Sequence, residues 1–289
     1  MKIALFANTH KKEIKKVSDS IINWLFDRQI TVMISDHLSD ILQRKDGKVT
    51  IIKREDLAAE SDVIVTLGGD GTLLFAARLA SCSQTPLLGV NMGGVGFLTE
   101  VSLDSLYSKF SKLIADEYSI DKRMTINCEV KCKNIQGRYI ALNDFVVQRS
   151  TSSRVIDINL SINDTFFNKY ISDGIIISTP TGSTAYSLSA GGPIVIPSLE
   201  SMIINPICPH ALTVRPVVIP AESKIIIDIH NSEKELLITL DGQENLYCSA
   251  PVKIKISKND FYTNLITFKE HNFFELLRQK LQWRSLPKK

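Results

Sequence analysis

The segment Leu67-Gly68-Gly69-Asp70-Gly71-Thr72 sets one carboxylate among three glycines. Glycines lack a Cβ, so their backbone can turn sharply and lie against a bulky group such as a pyrophosphate. A helix N-terminus behind such a turn favours anions. A lone carboxylate is a poor phosphate ligand. Asp70 makes chemical sense there if it takes a proton from a hydroxyl, or holds a metal-bound water, while phosphate lies against neighbouring N–H groups. The plainer reading is an Asp opening a helix, with the glycines serving turn geometry alone.

A second stretch runs from Asp173-Gly174 through Thr179-Pro180-Thr181-Gly182-Ser183-Thr184-Ala185-Tyr186-Ser187-Leu188-Ser189 to Gly191-Gly192-Pro193. Small residues let a ligand reach the backbone, hydroxyls donate and accept, and Tyr186 offers a flat face with a polar tip. A hydroxyl-rich connecting loop is the alternative, and it fits poorly with so long a run directly after an apolar strand. Asn143-Asp144 interrupts the apolar run from Ile140 to Val147 and costs stability if unpaired. A bulge or an edge position is the other reading. Asp241-Gly242-Gln243, taken alone, reads as a hairpin turn. No Walker-A loop, GxSxG elbow or metal-ligand spacing occurs in the sequence.

The elements that position these residues change character near residue 120. Residues 2–6, 29–34, 61–66 and 87–90 read as buried strands. Residues 13–28 read as a helix with Val17, Ile21, Trp24 and Leu25 inward, and Leu103, Leu106, Phe110 and Leu113 mark another helix face. Between 38 and 60 the pattern is mixed, with 45–48 an exposed loop. Strands alternating with helices imply a doubly wound parallel sheet, whose ligands bind beyond the carboxyl ends of the strands. The Asp70 turn and a second glycine-rich segment, Asn91 to Thr99, both fall there.

From 120 to 265 the helical period almost vanishes. Residues 126–132, 138–147, 154–162, 224–229, 236–240 and 252–256 read as strands, and Asn163-Asp164 as a hairpin turn. This is a mostly antiparallel β domain. Residues 272–281 return to the helical period, and Phe273, Phe274 and Leu277 are expected to dock on the α/β domain, because a lone amphipathic helix is marginal in water. The expected boundaries are 1–119 for the α/β domain, 120–265 for the β-rich domain and 266–289 for the tail.

The chain has 289 residues, 44% hydrophobic and 22% charged, with a formal net charge of +3. That balance is globular and argues against a general nucleic-acid field. No run is long enough to span a membrane as a helix, and the opening apolar run is too short for a signal peptide. The five cysteines form no CxxC pair and read as reduced, cytoplasmic thiols. Cys128 and Cys132 lie about 13 Å apart along a strand, too far for a bridge.

Taken together, Gly68 to Thr72, Asn91 to Thr99, Asn143-Asp144, and Asp173-Gly174 with Thr179 to Tyr186 resemble the motifs of the NAD kinases. The Gly-Gly-Asp-Gly motif is shared with diacylglycerol kinase-like and phosphofructokinase-like enzymes; the combination marks the NAD kinases and spans almost the whole chain. The resemblance implies a doubly wound α/β N-terminal domain, an all-β C-terminal domain and a C-terminal helix returning to the first domain. It implies transfer of the terminal phosphoryl of ATP to the adenosine 2′-hydroxyl of NAD, giving NADP, with Mg²⁺ carried on ATP rather than in a dedicated cage.

Asp70 would accept the proton, and Gly71 and Phe75 would lie against substrate. Asn143 and Asp144 would contact NAD, and Asp173 would hold a ribose or nicotinamide-side group. Thr181, Thr184, Ala185, Tyr186, Ser187, Leu188 and Ser189 would line the ring pockets, with Arg154 and Gln243 near the ligand. The family usually reads Asn-Glu where this chain reads Asn143-Asp144, so the carboxylate loses about one methylene of reach and its contact becomes water-mediated. A homodimer or homotetramer is implied, with no nucleic-acid or membrane partner. A lipid or sugar-phosphate kinase sharing the glycine motif, and an NADP-binding sensor without turnover, are the competing readings.

Overall fold

The computed structural model describes residues 1–44, 46–94, 96–150, 155–230, 235–269 and 272–283. The chain divides into two compact units, Met1–Asp121 with Asn264–Lys289, and Lys122–Thr263.

The first unit is built on parallel strands in the order Thr50–Ile52, Thr31–Ser35, Lys2–Ala7, Val63–Gly68, Leu87–Asn91. The two-residue strand Val101–Ser102 and Leu265 pair with the outer strand. The central strands are buried along nearly their whole length, which is why they read as unbroken apolar runs rather than alternating ones. Side chains of successive strand residues point to opposite faces. Ile3, Leu5, Val63 and Val65 pack with Ile21, Leu25, Phe110 and Leu113 from the helices Ile14–Phe26 and Leu106–Ile114. The helices Leu57–Glu60 and Asp70–Ala80 also contact the sheet. Of the mixed region, residues 36–42 form a helix, Asp36–Leu42, whose N-terminus is capped by Ser35 Oγ accepting the Leu38 N–H at 3.3 Å. In the expected loop at 45–48, Lys45 lies outside the described residues.

The C-terminal helix Phe273–Lys280 belongs to this unit, and Asn272 Oδ1 caps it by accepting the N–H groups of Phe274 and Glu275. Leu277 is buried and Phe273 half-buried, but Phe274 is 53% exposed. The expectation that both phenylalanines dock is corrected accordingly. Phe273, four residues before Leu277, lies about 40° from it around the helix, whereas Phe274 lies about 60° away on the other flank, at the solvent edge of the inward face.

The second unit is a β structure. One antiparallel sheet has the order Val217–Pro220, Ser201–Ile207, Gly174–Ser178, Asp144–Arg149, Leu236–Leu240, Glu244–Cys248. A second antiparallel ladder joins Thr165–Ser172, Ile156–Ile162, Ile225–Ile229 and the strand Val252–Thr267. Alternate residues, among them Phe145, Ile175, Ile204 and Ile238 from the first and Ile158, Leu160, Ile227 and Ile254 from the second, fill one core. Asn163 and Asp164 both take positive φ, 50° and 62°, between paired strands, the geometry a two-residue hairpin demands.

The single strand expected over 138–147 is two strands, Gln136–Ala141 and Asp144–Arg149, broken at Leu142-Asn143. The adjacent polar pair marks a corner. Within the region expected to lack helix, residues 182–184 form a 3-10 turn and Tyr186–Ser189 a single α-turn. The strands Ser201–Ile207, Val217–Pro220 and Glu244–Cys248 go beyond the sequence reading; the first contains Pro206 and the last alternates weakly.

Candidate active site

In the first unit the strand Val63–Gly68 ends in Gly68-Gly69, and Asp70 opens the helix Asp70–Ala80. Helix and turn thus present a carboxylate at the carboxyl end of the sheet. The second glycine-rich segment supplies its partners. Asp70 Oδ2 accepts the Phe97 N–H at 2.7 Å; Oδ1 accepts the N–H groups of Leu98 at 3.1 Å and Thr99 at 3.2 Å and the Thr99 hydroxyl at 3.3 Å. Asn91 braces that segment: Nδ2 donates to the Gly94 carbonyl at 2.7 Å and to Thr99 Oγ1 at 2.9 Å, and Oδ1 accepts the Gly93 N–H at 2.7 Å. A Cβ on Gly96 would overlap the Asp70 carboxylate, so only glycine permits this approach.

An ionised carboxyl has about four lone-pair positions. Three donors crowd Oδ1, whereas Oδ2 takes one among the described residues, so a lone pair on Oδ2 is left to receive a proton. Farther along the same helix, Phe75 stacks on Phe6 with centroids 5.4 Å apart, and the Arg54 guanidinium sits 4.0 Å from the Phe75 ring centroid. Arg54 carries no spacing signal, and its partnership with Phe75 is visible only in three dimensions.

In the second unit Asn143 and Asp144 line a cavity of about 340 Å³ together with Ala185, Tyr186, Gln148 and the Asp241-Gly242 turn. Asn143 and Asp144 are only 9% and 3% exposed. The Asn143 carboxamide oxygen is buried with no hydrogen-bond partner among the described residues, a costly arrangement unless something else fills it. Gly182 has no Cβ because one would overlap the Asn143 carbonyl, and this close approach brings the hydroxyl-rich segment against the corner. Thr179 N–H donates to the Asn143 carbonyl at 2.9 Å, fixing the two together.

Asp241 is the residue that sequence reasoning undervalued. It takes the positive φ of the expected hairpin turn, 51°, and its carboxylate also accepts three backbone N–H groups across the corner. Oδ2 accepts from Leu142 at 3.0 Å and Oδ1 from Asn143 at 2.7 Å and Asp144 at 3.1 Å. Burial, reinforced by the neighbouring Asp241 charge, pushes the Asp144 carboxyl up to about 7. Burial and then the same charge push the buried Cys128 thiol well above its ordinary range.

Of the other expected residues, Asp173 forms a bidentate pair with Arg149, Nε to Oδ1 at 2.9 Å and Nη2 to Oδ2 at 3.2 Å. Thr181 Oγ1 accepts from the buried Arg123 at 3.3 Å, and Thr184 Oγ1 donates to the Thr181 carbonyl. Ser187 is fully buried, its carbonyl accepting from Asn205 Nδ2 at 2.9 Å. Asp173, Thr181, Thr184, Ser187, Leu188, Ser189 and Gln243 do not line the cavity that holds Asp144. Arg154 lies outside the described residues. Among the described residues no three His, Cys, Asp or Glu side chains cluster as metal ligands, and no helix is long and apolar enough to cross a membrane. All five cysteines are free thiols.

Comparison with known proteins bears on both units. Residues 3–118 match the family model described as ATP-NAD kinase N-terminal domain, and residues 142–268 match the ATP-NAD kinase C-terminal domain. The chain is 40% identical over 284 residues to an NAD kinase of Geobacter sp. (strain M21), covering 98% of each chain. It is 41% identical to the NAD kinase of Caldanaerobacter subterraneus subsp. tengcongensis, over 97% of this chain and 98% of the other. Among solved structures it resembles yeast NADH kinase complexed with NADH, with a TM-score of 0.91 at 24% identity, covering all of this chain and 90% of that one. It also resembles an NAD kinase from Archaeoglobus fulgidus in complex with ATP, with a TM-score of 0.75 at 26% identity, over 99% of this chain and the whole of the other. The fold, the Gly-Gly-Asp-Gly-Thr turn and these matches define a phosphotransferase. The chain belongs to the NAD kinase family.

Proposed function

We propose that the chain transfers the terminal phosphoryl of ATP to the adenosine 2′-hydroxyl of NAD, yielding NADP, with Asp70 as the proton acceptor. The observation that carries this reading is the Asp70 carboxylate, held by Phe97, Leu98 and Thr99 with a lone pair on Oδ2 left over. A ribose hydroxyl is a weak nucleophile at neutral pH. A positioned carboxylate that takes its proton as the new P–O bond forms contributes roughly 10²–10⁴-fold. The four donors orient Asp70 and hold it still, which counts because phosphoryl transfer depends on in-line positioning.

The start of the helix at Asp70-Gly71, whose dipole favours an anion, is suited to a phosphate. Phe75, with its ring braced by Phe6 and Arg54, gives that turn an apolar wall. The matched family models' description, ATP-NAD kinase, and the archaeal homologue's complex with ATP support ATP as donor. Mg²⁺ enters as part of the ATP substrate and supplies charge neutralisation on its phosphates.

Asn143 and Asp144 hold the neutral, nucleoside part of NAD, and Ala185 and Tyr186 pack against a ring. Asp173, oriented by Arg149, meets a ribose hydroxyl. Thr181, Thr184, Ser187, Leu188 and Ser189 shape the loop behind them, and Gln243 follows the Asp241-Gly242 turn that lines the cavity. The homodimer or homotetramer common in the family, and a reducing cytoplasmic setting for five free thiols, complete the reading. Incubating purified protein with Mg²⁺, ATP and NAD and recording NADP with an NADP-specific dehydrogenase tests it. Time-dependent NADP is expected. NADP bound tightly but never formed would favour a sensor, and phosphorylation of diacylglycerol instead of NAD would overturn the substrate.

A further inference from the structure

The strand order reverses beside the Asp70 turn. Lys2–Ala7 leads through the helix Ile14–Phe26 to Thr31–Ser35 on one side, and Val63–Gly68 leads through Asp70–Ala80 to Leu87–Asn91 on the other. Lys2–Ala7 and Val63–Gly68 are themselves parallel neighbours. In an open α/β sheet, ligands bind in the crevice at the carboxyl ends of such a pair. Two cationic side chains border it, Lys11 and Arg54, and the chemistry described so far uses neither as a ligand to substrate.

Lys11 stands in the loop after Lys2–Ala7. Asn8 N–H donates to the Leu67 carbonyl at 2.9 Å and Lys11 N–H to the Asn8 carbonyl at 3.2 Å, so this loop is tied to the end of the strand that delivers Asp70. The exposed Lys11 ammonium reaches the second glycine-rich segment: a Cβ on Gly93 would stand 3.7 Å from Nζ. Arg54 comes from the turn after Thr50–Ile52. Its guanidinium lies 4.0 Å from the Phe75 ring centroid and 5.0 Å from that of Phe6. Phe6 belongs to Lys2–Ala7, and Phe75 stands about 7.5 Å along the helix axis from Asp70. Stacking on rings fixes the plane of a guanidinium and leaves its edge N–H groups to other partners. Among the described residues no carboxylate forms an ion pair with Arg54 or Lys11.

We propose that Arg54 and Lys11 form a clamp for a polyphosphate at this crevice, Arg54 from the Phe75 side and Lys11 from the Gly93 side. The inference deepens the kinase reading and rests on it. A carboxylate base and a polyphosphate repel each other, and Asp70 opens the helix at the same end of the sheet. Two cations offset that repulsion and hold the phosphates while the carboxylate stays free to take a proton. The two groups suit different tasks. The planar fork of Arg54 matches two oxygens of one phosphate, and the Lys11 ammonium acts as a movable point charge on a flexible stem. The ligand chemistry is that of a linear polyphosphate ester, supplied either by the triphosphate of ATP or by the pyrophosphate of NAD.

The test is binding of inorganic tripolyphosphate by titration calorimetry, with steady-state KM for ATP and for NAD, on wild type, Arg54→Gln, Arg54→Lys, Lys11→Gln and Lys16→Gln. Lys16 is an exposed lysine of the helix Ile14–Phe26 and controls for net charge. Arg54→Gln and Lys11→Gln should each weaken tripolyphosphate binding roughly tenfold or more, the scale of one charge-assisted hydrogen bond. Arg54→Lys should recover part of the loss, and Lys16→Gln should bind as wild type does. A higher KM for ATP identifies the triphosphate as the occupant and a higher KM for NAD the pyrophosphate; either supports the proposal. Wild-type affinity and KM in Arg54→Gln or in Lys11→Gln overturns it, as does an equal loss in Lys16→Gln, the mark of a diffuse field. A guanidinium that only braces the rings would lower the melting temperature of Arg54→Gln and leave tripolyphosphate binding unchanged, which also overturns it. If Arg54→Gln fails to fold, Arg54→Lys decides: weaker tripolyphosphate binding supports the clamp and wild-type binding overturns it. Wild type that forms NADP while these tests fail leaves the kinase reading intact. Wild type that binds tripolyphosphate through both residues yet forms no NADP removes the kinase reading and keeps the clamp.

Discussion

The backbone N–H of Phe97 donates to the Asp70 Oδ2 at 2.7 Å, although the two residues lie 27 positions apart. One glycine turn therefore holds the other's carboxylate. The contact is possible because Gly96, just before Phe97, has no side chain to collide with Asp70.

Gly96→Ala should accordingly damage turnover more than folding. The added methyl displaces either Asp70 or the segment over it, and a shift of about 1 Å in a reacting group costs on the order of 10²-fold in rate. Steady-state kinetics beside a melting curve checks this. Full activity in a folded Gly96→Ala protein would show that the contact with Asp70 is dispensable.

Asp144 makes stability depend on pH. The unfolded chain releases this proton near 3.8 and the folded chain only near about 7. Between those values the folded state binds more protons, so stability falls as pH rises through the window and levels off above it. The full effect is on the order of 4 kcal/mol, at roughly 1.4 kcal/mol per pKa unit. Asp144→Asn removes the titration, so its melting temperature should decline less between pH 5 and pH 8 than that of wild type. Parallel declines in the two proteins would contradict the assignment.

The tail offers a paired control. Leu277 is 6% exposed and Phe274 53%. Leu277→Ala should cost roughly 2–4 kcal/mol through lost burial and a residual cavity. Phe274→Ala should stay within about 0.5 kcal/mol, as surface changes do. Chemical denaturation separates the two. Equal effects would mean that the helix docks by another face.

Much of this organisation is legible in the residues because it depends on local periodicity. The buried strands of the first unit, the amphipathic helix Ile14–Phe26 and the hairpin at Asn163-Asp164 follow from apolar spacing and turn chemistry within a few positions. The Asp70 turn is legible for the same reason. What stays hidden depends on partners far apart in sequence. Asp241 reads as a turn residue, which it is, but the amides it captures are those of Leu142 to Asp144. Arg123 looks like any charged strand residue until it is found buried and donating to Thr181. The break at Leu142-Asn143 reads as a polar fault in a strand, because the groups that satisfy the corner, the Asp241 carboxylate and the Thr179 N–H, lie far away in sequence.

Asp70→Asn is the most direct probe of the reaction. The amide keeps the shape of the side chain but cannot accept a proton as a carboxylate does. Turnover of NAD should fall by orders of magnitude, with a much smaller change in NAD affinity. Assayed alongside, NAD lacking the adenosine 2′-hydroxyl should compete with NAD on the wild-type protein and gain no phosphate. Near-normal kcat in Asp70→Asn, or phosphate transferred to the deoxy analogue, would contradict the assignment of Asp70 as the group that deprotonates the 2′-hydroxyl.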